Sequence, residues 1–167
     1  MDKALIIGNL CTLFAMAFNS LSSTRKTPKG ILLTQNMSQA VYGISAIVLG
    51  GYSAAVQNVV SILRNFTAIR SKKNKFVEWL LVTLGVVLGV AFNNRGWIGL
   101  LPVIGNLEYT LAIFRHKEDE RKIKLAFLIS VAAFAVFNVT IRNYVGVVSD
   151  VIVVITTSIM LIKSKKA

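Results

Sequence analysis

The chain has 167 residues; 54% are apolar, 16% are charged, and 19 Lys and Arg against 7 Asp and Glu give a formal net charge of +12. An ordinary soluble domain carries about 25% charged residues, so this balance excludes that class. A charge of this sign suggests a nucleic-acid partner only where the cations form one basic face; here they flank apolar runs, and no nucleic acid is expected.

The apolar runs fall, in chain order, at residues 4–23, 31–49, 51–69, 76–92, 96–114, 124–141 and 143–162. Each approaches the ~20 residues that, at ~1.5 Å rise, carry a helix through ~30 Å of hydrocarbon. The first could pass for a secretory signal, with Lys3 before it and Ser20, Ser22 and Ser23 at its end. It is read as a span, because its removal would leave six and destroy the symmetry described below. Its Asn9, Thr12, Met16 and Asn19 share a helical face.

The second run carries Gln35, Gln39 and Tyr42 at the same spacing, and the third Gln57, Ser61 and Arg64. The fourth differs: between Glu78 and Asn93 only Thr83 is polar, so it is expected to meet lipid or pack peripherally. The fifth presents Pro102, Asn106 and Tyr109, the sixth Ser130, Phe134 and Asn138, and the seventh Ser149, Val153 and Thr156. Pro102 lies near the start of its helix, where a missing hydrogen bond is tolerable in a bundle, and is a candidate hinge. Tyr52, Trp97 and Tyr144 stand at helix ends, as interfacial anchors do.

The cations order these segments. When connectors are assigned alternately, one side takes Arg25, Lys26, Lys29, Arg70, Lys72, Lys73, Lys75, Arg115, Lys117, Arg121, Lys122, Lys124, Lys163, Lys165 and Lys166, fifteen in all. The other takes three, Lys3, Arg95 and Arg142, and Arg64 lies inside a helix. Cytoplasmic connectors are enriched in Lys and Arg, so the amino terminus is placed outside and the carboxyl terminus in the cytoplasm. The basic edge also suits contact with anionic lipid headgroups.

An offset of 92 residues lays the third run on the seventh, pairing Tyr52 with Tyr144, Val56 with Val148 and Asn58 with Asp150. It also lays the second on the sixth, pairing Ser38 with Ser130 and Tyr42 with Phe134. For the first and fifth runs an offset of 97 matches Ile7-Gly8-Asn9-Leu10 to Ile104-Gly105-Asn106-Leu107. The expected fold is all-α: a polytopic membrane protein of seven transmembrane helices, two parallel three-helix repeats (1–75 and 95–167) joined by a bridging helix (76–94). Three is odd, so the bridge is what keeps both repeats pointing the same way.

Six polar stripes from two repeats predict a wet or hydrogen-bonding interior, against the alternative that the polar groups only hold helices together. Asn58, Asp150, Asn9, Asn106, Gln57, Gln39 and Asn138 are the candidate solute contacts. Asp150 also admits a purely structural hydrogen bond or a proton or cation role. Arg64 and Glu108 lie six and seven residues before the cytoplasmic Arg70 and Arg115. They are therefore level and are expected to pair as a gate, unless Arg64 snorkels to the headgroups. Cys11 is the single cysteine and His116 the single histidine, so no disulfide, metal site or cofactor is expected.

The run Leu100-Leu101-Pro102-Val103-Ile104-Gly105, followed by Ala112, Phe114 and Arg115, resembles the YgjV-type family of bacterial inner-membrane proteins, as does the spacing of Arg64 and Arg70. The resemblance places the chain in a bacterial inner membrane. It also implies kinship with the group of PQ-loop proteins, SWEET sugar facilitators and nicotinamide-riboside carriers, whose helices run 3+1+3. The chain departs from the PQ-loop pattern, since Val103 follows Pro102 and the first helix has no proline.

The expected function is a facilitative carrier of a small polar solute, with its site between the repeats near the midplane. The alternatives are a channel or a non-transporting interaction, sensor or assembly protein. No nucleophile, metal cluster or phosphate-binding loop is present, so no enzyme is expected. The partners are then the lipid bilayer and the solute, with a homo-oligomer left open.

Overall fold

The computed structural model describes residues 2–23, 28–69, 74–116 and 119–163. Among these residues there are seven α-helices and no β-strand. The helices are α1 (Lys3–Ser23), α2 (Pro28–Val48), α3 (Tyr52–Ile69), α4 (Lys75–Ala91), α5 (Leu101–Arg115), α6 (Glu120–Thr140) and α7 (Tyr144–Lys163). A short 3-10 helix, Gly96–Leu100, leads into α5.

The helix starts show why hydropathy placed some boundaries late. α6 begins four residues before its apolar run, because Asp119 caps it by accepting from the Lys122 backbone N–H at 3.1 Å. That bond and the Lys122 ammonium, 3.2 Å away, hold the Asp119 carboxyl below its ordinary range. Asn74 caps α4 in the same way, accepting from the N–H groups of Phe76 and Val77. Pro102 occupies the opening turn of α5, where its missing N–H leaves no intrahelical bond unmade. The candidate hinge therefore lies at the junction of the 3-10 turn and α5.

Two turns share one set of backbone bonds. At the end of α2, Leu49, Gly50 and Gly51 donate to Ser45, Ile47 and Ala46; at the end of α6, Ile141, Arg142 and Asn143 donate to Phe137, Val139 and Asn138. Each donor and acceptor of the second turn lies 92 residues after its counterpart in the first. Gly50 and Arg142 both take the left-handed backbone, at φ +72° and +58°, as the residue closing such a helix end requires.

The helices alternate in direction. One end of the bundle gathers the start of α1, the α2–α3 turn, the α4–α5 connector and the α6–α7 turn. There the Asn9 side chain bonds to Arg142 and Val145, and Arg95 donates to the carbonyls of Leu49 and Gly50. α1 packs on α2 and α2 on α3; α5 packs on α6 and α6 on α7. α1 also meets α7, α3 meets α5, and α4 rests on α3 and α5. The face of α4 that does so is built from Leu81, Gly85 and Gly89; a Cβ on Gly89 would fall 2.7 Å from a Val103 methyl.

Polarity is inverted relative to a soluble domain. Phe14, Phe76, Val87, Val139 and Ile155 are exposed, whereas Thr12, Ser45, Ser53, Gln57, Arg64, Asn65 and Asn106 are buried. An apolar exterior around a hydrogen-bonded interior is what hydrocarbon selects, because unpaired polar groups there cost several kcal/mol. Three stretches, Lys3–Leu21, Gly96–Arg115 and Arg121–Thr140, are long and apolar enough to cross a membrane, and Tyr144–Ile159 is a shorter apolar helix. The apolar part of the core is a cluster of Ala46, Leu49, Ala54, Ala55, Phe137 and Ile141 near the α2–α3 and α6–α7 turns.

Candidate central cavity

A cavity with about 150 Å³ of room for water lies between α1–α3 and α5–α7. That is well above the ~10–15 Å³ a single water needs. Its wall takes Asn19 from α1, Gln39 and Tyr42 from α2, Asn58, Ser61 and Arg64 from α3, Asn106 and Tyr109 from α5, Ser130 and Asn138 from α6, and Ser149 and Asp150 from α7. Six helices contribute and α4 does not. The polar spacing read from the sequence therefore converges here, because residues three and four apart share a helix face.

Arg64 is 5% exposed, and its Nη1 donates to Asn106 Oδ1 and Thr110 Oγ1, 3.2 Å each. Its guanidinium carbon stands 5.0 Å from the centre of the Tyr109 ring. Such a contact is worth up to ~2 kcal/mol when desolvated. Nε is buried with no hydrogen-bond partner among the described residues. Ser61 also donates to Asn106 Oδ1, at 3.1 Å, and Asn106 Nδ2 donates to Gln57 Oε1 at 2.8 Å. Gln57 Nε2 in turn donates to the Gly85 carbonyl of α4 at 2.8 Å. This chain fixes Arg64 through neutral groups alone.

The expected Arg64–Glu108 pair is absent. Asn106 and Thr110 face α3, and Glu108, two residues from each, is rotated ~200° away on the helix. Its Oε2 is buried with no hydrogen-bond partner among the described residues. Equal depth along two helices was legible in the sequence; equal facing was not met.

At the opposite end of the cavity Asp150 Oδ2 accepts from Asn138 Nδ2 at 2.8 Å, and Asn138 Oδ1 accepts from Asn143 Nδ2 at 3.1 Å. Asn143 Oδ1 then accepts from the Gly146 N–H, so the α6–α7 turn is wired to the carboxylate. Asn58, the residue paired with Asp150 by the offset, spends its Nδ2 on its own Ala54 carbonyl.

Of the candidate solute contacts, Asn58, Asp150, Asn106, Gln39 and Asn138 line this cavity. Gln57 does not; it is 1% exposed and tethers α3 to α4 and α5. Asn9 does not either: its Nδ2 donates to the Arg142 carbonyl and its Oδ1 accepts from the Val145 N–H, which caps α7 at the bundle end. Gly105 lies against the Ser130 backbone, and the Ala15 carbonyl accepts from Ser38, the serine paired with Ser130.

Sequence reasoning missed Asn143, which lies in a turn outside any helical stripe, and the buried pair Asn36–Asn65, joined at 2.9 Å. An asparagine directly before a helix, where its side chain can cap the first turn, was the available signal for the first. Among the described residues no group of acidic, Cys and His side chains could hold a metal.

No curated protein and no solved structure matches the chain. One family model does, over residues 6–167, and its description is Imp-YgjV, bacterial inner membrane protein. With nearly the whole chain matched, from α1 through α7, this protein belongs to the Imp-YgjV family of bacterial inner membrane proteins.

Proposed function

We propose that the protein is a facilitative carrier of a small polar solute, which binds in the central cavity between two three-helix units. In this reading the chain crosses the inner membrane seven times, as parallel repeats 1–75 and 95–167 joined by the bridge 76–94. The amino terminus is outside and the carboxyl terminus cytoplasmic. The observation that carries it is the cavity wall, drawn from every helix except α4. Glue between helices needs polar groups only in pairs, whereas a solute site between two units needs them from both. The parallel arrangement draws support from the bond-for-bond likeness of the α2–α3 and α6–α7 turns. Transport is preferred to catalysis because the charged cavity groups, Arg64 and Asp150, include no nucleophile set beside a base.

The test is reconstitution of the purified full chain into liposomes with labelled sugars, nucleosides, vitamins and short carboxylic acids. Saturable uptake above that of empty vesicles is expected for at least one class. No uptake across the whole panel would leave the non-transporting sensor or assembly role in its place.

A further inference from the structure

Arg64 is the one buried cation that no carboxylate meets among the described residues. A guanidinium held this far from bulk water costs several kcal/mol unless a counter-charge or a full set of acceptors satisfies it. Here Nη1 has two neutral acceptors, one side of the fork faces the Tyr109 ring, and Nε is unpartnered. The group lines the cavity. A planar guanidinium with free donors matches a planar carboxylate, whose two oxygens accept parallel N–H bonds.

Asp150 lines the same cavity from α7. α3 and α7 start at the same end of the bundle, and Asp150 corresponds to position 58 of α3, six residues before Arg64. Six residues are ~9 Å of helix rise, which the length of the Arg64 side chain, tilted back toward its helix start, shortens. Positive and negative ends therefore stand about one to two turns apart along the wall of one cavity.

Resting on the carrier reading above, we propose that the solute is a small monocarboxylate with a hydroxyl or ammonium at its far end. Its carboxylate docks on Arg64, and the donor at its other end points to Asp150. A second carboxylate would meet the Asp150 charge and be rejected. A neutral polyol would leave Arg64 unsatisfied.

The matched probes are 3-hydroxypropionate, β-alanine, propionate, malonate and glycerol, measured by calorimetry and thermal melting on the full chain in detergent. At least one of 3-hydroxypropionate and β-alanine is expected to bind at least tenfold more tightly than malonate or glycerol, with propionate between. Arg64→Gln should weaken every monocarboxylate at least tenfold, the size of a lost charge-assisted bond. Asp150→Asn should relax the exclusion of malonate and leave propionate unchanged. These opposite responses cannot come from misfolding, and Arg64→Lys, which keeps the charge without the fork, should bind with intermediate affinity. Equal binding of glycerol, binding insensitive to Arg64→Gln, or no binding by any of the three monocarboxylates overturns the proposal. Liposome uptake separates the two readings: binding without uptake removes the carrier and keeps the site, whereas uptake of neutral solutes alone keeps the carrier and removes the carboxylate.

Discussion

Gly50 and Arg142 both hold a left-handed backbone, and each closes the end of its helix by the same bonds, 92 residues apart. One is a glycine and the other is not, which makes the strain measurable. A residue with a Cβ pays ~1–2 kcal/mol in that conformation, against ~0.5–1 kcal/mol for the extra freedom glycine loses on folding. Arg142→Gly should therefore raise stability by about 0.5–1 kcal/mol, and Gly50→Ala should lower it by about 1 kcal/mol. Thermal melting in detergent reads both, and equal effects of one sign would remove the equivalence of the two turns.

The attachment of α4 depends on the absence of a side chain at Gly89, where a Cβ would run into Gln57 and Val103. Gly89→Leu places a branched side chain where Val103 and the Gln57 amide already sit. It should cost about 1–3 kcal/mol as overpacking and free the Gln57–Gly85 bond. Val87→Leu, on the exposed side of α4, should be neutral. Similar losses for both would mean that α4 is held by something other than its glycine face.

The helices were legible because hydrocarbon imposes one constraint, a long apolar run, and the polar residues that interrupt it repeat at three and four. That spacing located Gln39, Ser61, Arg64, Asn106 and Asn138 on the cavity wall, whereas Asn58 was reached through its pairing with Asp150 at the 92-residue offset. Periodicity by itself carries no depth, so it groups Asn9 with them although Asn9 sits at the bundle end. Nor did it tell facing between helices, so Glu108 was matched with Arg64 across a ~200° rotation. Capped polar turns, as at Asp119, and turn residues such as Asn143 lie outside the hydropathy signal altogether.

Orientation can be read chemically. With Cys11→Ser as background, a single cysteine at Arg95 should react with a membrane-impermeant maleimide on intact spheroplasts. One at Lys122 should react only after the membrane is opened. The reverse pattern would invert the topology derived from the basic residues.

The cap of α6 gives a pH dependence. Asp119 accepts from Lys122 and is held below its ordinary value of 3.8, so the folded state binds its proton more weakly than the unfolded one. The stabilisation is complete above that ordinary value and is lost as pH falls through the lower folded value. Asp119→Asn, which can keep the cap bond without the charge, should flatten this limb of a melting profile below about pH 4. An unchanged limb would assign the acid sensitivity to other carboxyls.

Asp150 has two available roles, solute contact and structural acceptor, and its bond to Asn138 allows them to be separated. Asn138→Ala removes the amide that links Asp150 to Asn143, and should cost about 1.5–3 kcal/mol because a partly buried carboxylate loses its donor. If that bond is the whole role of Asp150, then Asp150→Ala in the Asn138→Ala background should restore part of the stability and part of the uptake together. If Asp150 also meets the solute, the double variant should regain stability while transport stays lost. A double-mutant cycle run on melting and on uptake in parallel distinguishes the two, because only a solute contact makes the two cycles disagree.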